Sequence, residues 1–284
     1  MSMETDKIVA CFPGLTQVCP INRASGQKHA YTAVSQTYGD VVVKVVCPFN
    51  NNPRLVREIQ IMRDCDITQV PKMYACKITD SPLGPMLVSV ERRVNGKDLF
   101  EVLSTVGKPS FNELLSLTHD ILLILCEVEK LGIVHRDIKP ANILRDESGR
   151  FWLIDFGIAR VLGAESITDT AAVEGPETLG YASPEQMDNI KADISSKSDL
   201  FSLGVVLTEC ILGYNPFIAL AQSRFEAKSR VRHLDVKYPE IAEDKNGAFV
   251  NFVRWLTEKR PMRRPKTAAF ALETFDSLFP MKGA

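Results

Sequence analysis

The hydrophobic pattern of this chain changes period part-way along, and few folds accommodate both halves. Through the first ~90 residues the apolar runs are short and rich in Val. DVVVKVVC (40–47) and MLVSVE (86–91), bounded by Gly, Pro, Asn and Asp, have the β-branched density of strands. Between them Leu55, Glu58, Ile59 and Met62 fall at i, i+3, i+4 and i+7, with Asn52 suited to an N-cap and Pro53 to the first helical position. The second half is helical in period. SFNELLSLTHDILLILCEVEKLG opens on a capping box, Ser110 with Glu113, and closes at Gly132. Apolar segments at 200–213, 248–256 and 267–279 also read as helices. The pattern therefore predicts an α+β protein: a small β-rich lobe with one helix, then a larger, mostly helical lobe. RRVNGKD (92–98), with its Asn-Gly and charges, suits an exposed connector between them. Clefts between such lobes are favoured ligand sites.

At 284 residues and 45% hydrophobic content the chain can bury a proper core. Its 34 Lys and Arg nearly balance 35 Asp and Glu, which argues against nucleic acid or an anionic membrane as the main partner. Seven cysteines form no CxxC pair and lie mostly in apolar runs, the pattern of reduced, buried thiols rather than of a disulfide or metal framework. The N-terminal MSMETDKIVACFPG mixes charges with few apolar residues, unlike a signal peptide. The longest apolar segment, 200–213, contains Glu209 and is short of the ~20 residues that span a bilayer. The expected location is the cytoplasm.

Two charges sit where burial is expected. Lys44 shares a strand face with Val42 and Val46, and Glu58 shares a helix face with Leu55, Ile59 and Met62. A buried lone ion is costly, so the two either pair between strand and helix or reach solvent.

The densest chemistry lies in HRDIKPANIL (135–144), followed by IDFG (154–157). These stretches resemble the catalytic loop and metal-binding motif of eukaryotic-type (Hanks-type) Ser/Thr protein kinases. Asp137, Asn142 and Asp155 stand at the family's spacings. TLGYASPEQ (178–186) resembles the end of the activation segment, SDLFSLG (198–204) the start of the buried central helix, and Arg264 occupies the place of the arginine that pairs with the Pro-Glu glutamate, here Glu185.

The resemblance implies a two-lobed kinase-like fold over 1–284, with an N-lobe of 1–93 and a C-lobe of 94–284. It implies transfer of the γ-phosphate of ATP, with Mg²⁺, to protein hydroxyls. Asp137 would orient the substrate hydroxyl and accept its proton, and Lys139 would face the γ-phosphate. Asn142 and Asp155 would supply oxygens to Mg²⁺. Lys44 would hold the α- and β-phosphates with Glu58 keeping it in place, while Val42 and Leu144 would flank the adenine. Asp199 would accept backbone N–H bonds from the catalytic loop, and His135 and Phe156 would stack with Met62.

Lys139 together with Thr178 points to Ser/Thr rather than Tyr as acceptor, and the Pro-Glu motif with its arginine separates the chain from small-molecule kinases. Arg136 implies control by phosphorylation of the segment 160–178, at Ser166, Thr168 or Thr170, unless a native carboxylate already satisfies it.

The pattern departs from the family in two places. INRASGQKHAY (21–31) stands where a Gly-rich hairpin covers the triphosphate and contains a single glycine, Gly26. Val42 replaces an alanine over the adenine. A kinase-fold binding module with weak or no ATP turnover is the alternative these departures leave. The expected partners are nucleotide and proteins bearing Ser or Thr hydroxyls, and no residue pattern specifies an oligomeric state.

Overall fold

The computed structural model describes residues 3–21, 28–47, 49, 53–156, 180–190 and 192–280. They form two compact units, one within 3–95 and the other comprising 96–156 and 180–280.

The first unit contains helix α1 (Met3–Cys11), strands β1 (Leu15–Pro20), β2 (Lys28–Ser35) and β3 (Gly39–Val46), helix α2 (Pro53–Asp64), and strands β4 (Met73–Ser81) and β5 (Gly84–Arg92). The strands pair antiparallel in the order β1-β2-β3-β5-β4, so β3 and β5 lie in the interior of the sheet. Alternation along the interior strands sorts their side chains into two faces. Val41, Val43 and Val45 join Met86, Val88, Val90, Tyr31 and Ile8 of α1 in one buried cluster. Val46 and Leu87 face the other way and pack with Ile59 of α2, Phe49 and Met73. Lys44 lies on that second face, opposite Ser89 in the register, and Val42 lies opposite Glu91.

The second unit begins with β6 (Gly96–Asp98), α3 (Leu99–Thr105) and α4 (Phe111–Lys130). A 3₁₀ turn at Pro140–Asn142 leads into β7 (Ile143–Asp146) and β8 (Phe151–Leu153), and β6-β7-β8 form a small antiparallel sheet. Then follow α5 (Pro184–Met187), α6 (Ser196–Leu212), α7 (Arg224–His233), α8 (Ala248–Leu256) and α9 (Ala268–Leu278). The expected capping box opens α4: Glu113 N–H donates to Ser110 Oγ at 3.3 Å, and Ser110 N–H donates to Glu113 Oε2 at 2.9 Å. Helix α6 is the centre of this unit, buried without a break from Ser198 to Thr208, and it stops at Gly213 in the left-handed conformation (φ 83°). No helix among the described residues is long and apolar enough to cross a membrane.

The α+β class is the one the sequence predicts. The stretch 92–98 is a partial correction. Arg92, Arg93 and Asn95 are exposed, but Gly96–Asp98 is a strand, and Asp98 is buried and N-caps α3 through Glu101 N–H at 2.7 Å. A side chain at Gly96 would place its Cβ 2.3 Å from the Arg145 carbonyl oxygen. That glycine therefore serves strand pairing rather than chain flexibility.

Candidate active site

The segment between α4 and the 3₁₀ turn has no regular structure and is held by specific side chains. His135 is fully buried. Its Nδ1 accepts from Asp137 N–H at 3.2 Å, which leaves Nε2 to carry the proton and donate to the Ile154 carbonyl at 3.0 Å. The ring meets Phe156 with 4.6 Å between centroids. Asp199, at the start of α6 and 1% exposed, accepts from the N–H groups of His135 (2.7 Å) and Arg136 (2.8 Å). Burial pushes the Asp199 carboxyl up to about 7, against the pull of those two N–H donors. Arg136 sits at φ 65° and Asp155 at φ 64°, a region costly for non-glycine residues that persists only where surrounding contacts impose it.

Asp137 is the focus of the loop. Its Oδ2 receives the Lys139 ammonium at 3.1 Å and the Asn142 Nδ2 at 3.0 Å, and the same amide nitrogen donates to the Asp137 carbonyl at 2.7 Å. Two acceptors on one amide nitrogen fix its orientation, so Asn142 Oδ1 points away from Asp137 as an oxygen donor. Asn142 is buried, whereas the Asp137 side chain retains 19% exposure. The backbone ties the next acid in: Ile154 N–H donates to the Asn142 carbonyl at 2.9 Å, immediately before Asp155. An amide oxygen and a carboxylate thus emerge from neighbouring backbone, a donor set that suits a hard cation such as Mg²⁺.

The loop is braced against later sequence. Gln186 Nε2 donates to the Arg136 carbonyl at 3.1 Å, linking α5 to it. Glu185 on the same helix pairs with Arg264 and accepts from Ser198 Oγ at 2.7 Å. Tyr181, three residues before α5, donates its hydroxyl to Glu209 of α6, and its carbonyl accepts from Ser202 Oγ at 2.8 Å.

In the first unit Lys44 extends from β3 to Glu91 on β5, Nζ to Oε2 at 2.5 Å, and Ser89 Oγ donates to Glu91 Oε1 at 3.0 Å. All three side chains project from the face that packs on α2. The sequence reading missed Glu91, although strand alternation from Lys44 and its register partner Ser89 leads to it.

Of the residues expected from sequence, Asp137, Lys139 and Asn142 come together, with Asp155 on the adjoining backbone. Leu144 is half-buried on β7, opposite Asp98 and Trp152. Val42 is half-buried on β3 with Lys44. Gly26, Thr178, Ser166, Thr168 and Thr170 lie outside the described residues, as does the side chain of Glu58, whose backbone belongs to α2.

Residues 28–275 match the family model described as the protein kinase domain. The chain is 32% identical over 251 residues to the probable serine/threonine-protein kinase PkwA of Thermomonospora curvata, an overlap covering 86% of this chain and 32% of that protein. It is 35% identical over 186 residues to the serine/threonine-protein kinase PknB of Mycolicibacterium smegmatis, covering 63% of this chain and 29% of PknB. It is 35% identical over 139 residues to the serine/threonine-protein kinase PknL of Mycobacterium tuberculosis, covering 47% and 34%. The match spans about a third of the length of these curated relatives. With the family model matched over most of the chain, the chain belongs to the protein kinase domain family.

Proposed function

We propose that this chain is a working Ser/Thr protein kinase that moves the γ-phosphate of ATP to a protein hydroxyl, with residues 1–93 and 94–284 as its two lobes. The observation that carries the reading is the clamp on Asp137, whose Oδ2 lies 3.1 Å from Lys139 Nζ and 3.0 Å from Asn142 Nδ2. An acid fixed in that way is prepared for phosphoryl transfer, where positioning and charge compensation supply most of the catalysis.

In this reading the substrate hydroxyl oxygen forms a bond to the γ-phosphorus as the bond from phosphorus to the ADP oxygen breaks. The hydroxyl proton passes to Asp137 late in the step. Lys139 compensates charge on the transferring group, and Thr178 steadies Lys139 and Asp137. Asn142 Oδ1 and the Asp155 carboxylate would hold Mg²⁺, which supplies charge neutralisation on the phosphates when bound. Lys44 orients the α- and β-phosphates with Glu58 behind it, and Val42, Leu144 and Gly26 are the proposed nucleotide-binding residues. Thr168 or Thr170 is the proposed autophosphorylation site that answers Arg136. The cytoplasmic setting belongs to the same proposal and rests on the sequence, whose seven cysteines form no CxxC pair.

The test is incubation with γ-labelled ATP and Mg²⁺ beside Asp137→Ala and Asp155→Asn, with sites mapped by mass spectrometry. The expected result is label in the wild type, on itself and on a basic protein substrate, that is lost in both variants. Equal labelling in all three would sink the assignment of Asp137. No label together with no measurable ATP binding would make the chain a kinase-fold binding module.

A further inference from the structure

The Lys44 ammonium is bonded to a carboxylate from within its own sheet. Glu91 is the penultimate residue of the paired stretch of β5, an interior strand bonded to β3 on one side and β4 on the other, so its backbone is fixed on both sides. Its side chain is buried, with 10% exposure against 12% for Lys44. One carboxylate oxygen takes the ammonium at 2.5 Å and the other takes the Ser89 hydroxyl at 3.0 Å, so the carboxylate plane is held at both ends. A lysine side chain has four rotatable carbons and about 2 kcal/mol of rotamer entropy to lose. A charge-assisted bond to a carboxylate anchored by Ser89 removes much of that freedom before any ligand arrives.

We propose that Glu91 is a positioning residue for nucleotide binding: with Ser89 it holds the Lys44 side chain aimed from the sheet. The inference rests on the kinase reading for the role of Lys44, and it adds a residue that the motifs do not contain. Because the support comes from the next strand, the lysine's alignment is built into the sheet. A helix could move and carry its carboxylate away, whereas the backbone of Glu91 cannot shift relative to that of Lys44 without breaking the β3–β5 ladder.

The experiment compares wild type, Glu91→Gln and Glu91→Asp by three measurements. Equilibrium titration with ATP and Mg²⁺ gives affinity without needing turnover. Steady-state kinetics divide KM for ATP from kcat. Brief acylation with an amine-selective reagent, read by mass spectrometry, reports how freely the Lys44 amine reacts when its bond to Glu91 is removed. For Glu91→Gln we expect about tenfold weaker ATP binding, a rise in KM larger than the fall in kcat, and several-fold more acylation of Lys44, with a melting temperature close to wild type. Glu91→Asp should recover part of each, since it keeps the charge on a shorter arm. Wild-type affinity and wild-type Lys44 labelling in Glu91→Gln would overturn the proposal. Tighter ATP binding in Glu91→Gln would also overturn it, by showing that the carboxylate competes with phosphate for the ammonium. If the wild type itself binds no ATP, the kinase reading and the nucleotide role fall together, whereas the first two outcomes reject Glu91 alone.

Discussion

Arg264 and Glu185, 79 residues apart in the chain, meet in a fully buried two-pronged pair, Nη1 to Oε1 at 2.7 Å and Nη2 to Oε2 at 3.0 Å. The guanidinium also donates to the carbonyls of Glu258, Lys197 and Lys259, and it stacks 4.8 Å from the Phe201 ring centroid. Burial works against the ionised form of Glu185, but the bond and charge of Arg264, joined by Ser198, outweigh it and hold the carboxyl below its ordinary range. Arg264→Ala leaves that carboxylate buried without its cation and three carbonyls without their donor. The expected loss is about 3–5 kcal/mol, measured by urea unfolding. Losing less than ~1 kcal/mol would mean the pair is a bystander to stability.

Asp199 supplies a pH dependence with a definite sign. Its carboxyl is raised from 3.8 to about 7 in the folded protein, chiefly by burial. Between those values the folded form binds more protons than the unfolded one, so stability declines as pH rises from ~4 to ~7 and is level above. Asp199→Asn cannot titrate and also replaces one acceptor by a donor facing an N–H group. It should be less stable than wild type at pH 7.5 by about 1–3 kcal/mol. Its urea midpoint should also vary less with pH between ~5 and ~7, by up to about 1.4 kcal/mol per unit. Parallel pH profiles for the two proteins would show that Asp199 keeps an ordinary proton affinity.

Asn142 bonds Asp137 through its amide nitrogen, and in the proposed reading its oxygen would serve Mg²⁺. Asn142→Ala removes both. If the clamp positions Asp137, kcat should fall by about 100-fold, the usual effect of deleting one preorganised donor. The Mg²⁺ concentration for half-maximal rate should rise by about 10-fold or more, as expected for a lost ligand or its supporting bond. A change in kcat with no change in Mg²⁺ dependence would remove Asn142 from the metal site and leave it only its bond to Asp137.

The parts of the fold legible in the sequence are those whose signal is local. The capping box at Ser110 marks the start of α4, and Val-rich runs mark β3 and β5. The apolar segment from 200 marks α6, although that helix begins four residues earlier, at Ser196. Strands β6, β7 and β8 are three or four residues long and owe their existence to pairing partners across the chain, as at Gly96 opposite Asp146. Helix α7 is charged on most of its surface, burying only Ala227 and Val231, too few to set a visible period. At the site, motif spacing names Asp137, Asn142 and Asp155, but Glu91 ends a run that reads as a plain apolar strand. Its meaning depends on the β3–β5 register, which no local pattern states.

Gly204 offers a case where local preference and packing disagree in sign. It lies inside α6, where alanine is favoured over glycine by about 1 kcal/mol on helix propensity alone. An added Cβ, however, would lie 2.7 Å from Thr257 Cγ2 and 2.8 Å from Leu256 Cβ at the end of α8. Thr257 can rotate only by disturbing its hydroxyl bond to the Val253 carbonyl at 3.0 Å, and Leu256 Cβ moves only with its backbone. Overpacking of this kind costs about 1–3 kcal/mol, so the contact should cancel or exceed the propensity gain. Gly204→Ala is therefore expected to be less stable than wild type, by ~1 kcal/mol or somewhat more, in urea unfolding. A stabilised Gly204→Ala would mean that α8 yields at its C-terminal end, and that the glycine is not required for the two helices to approach.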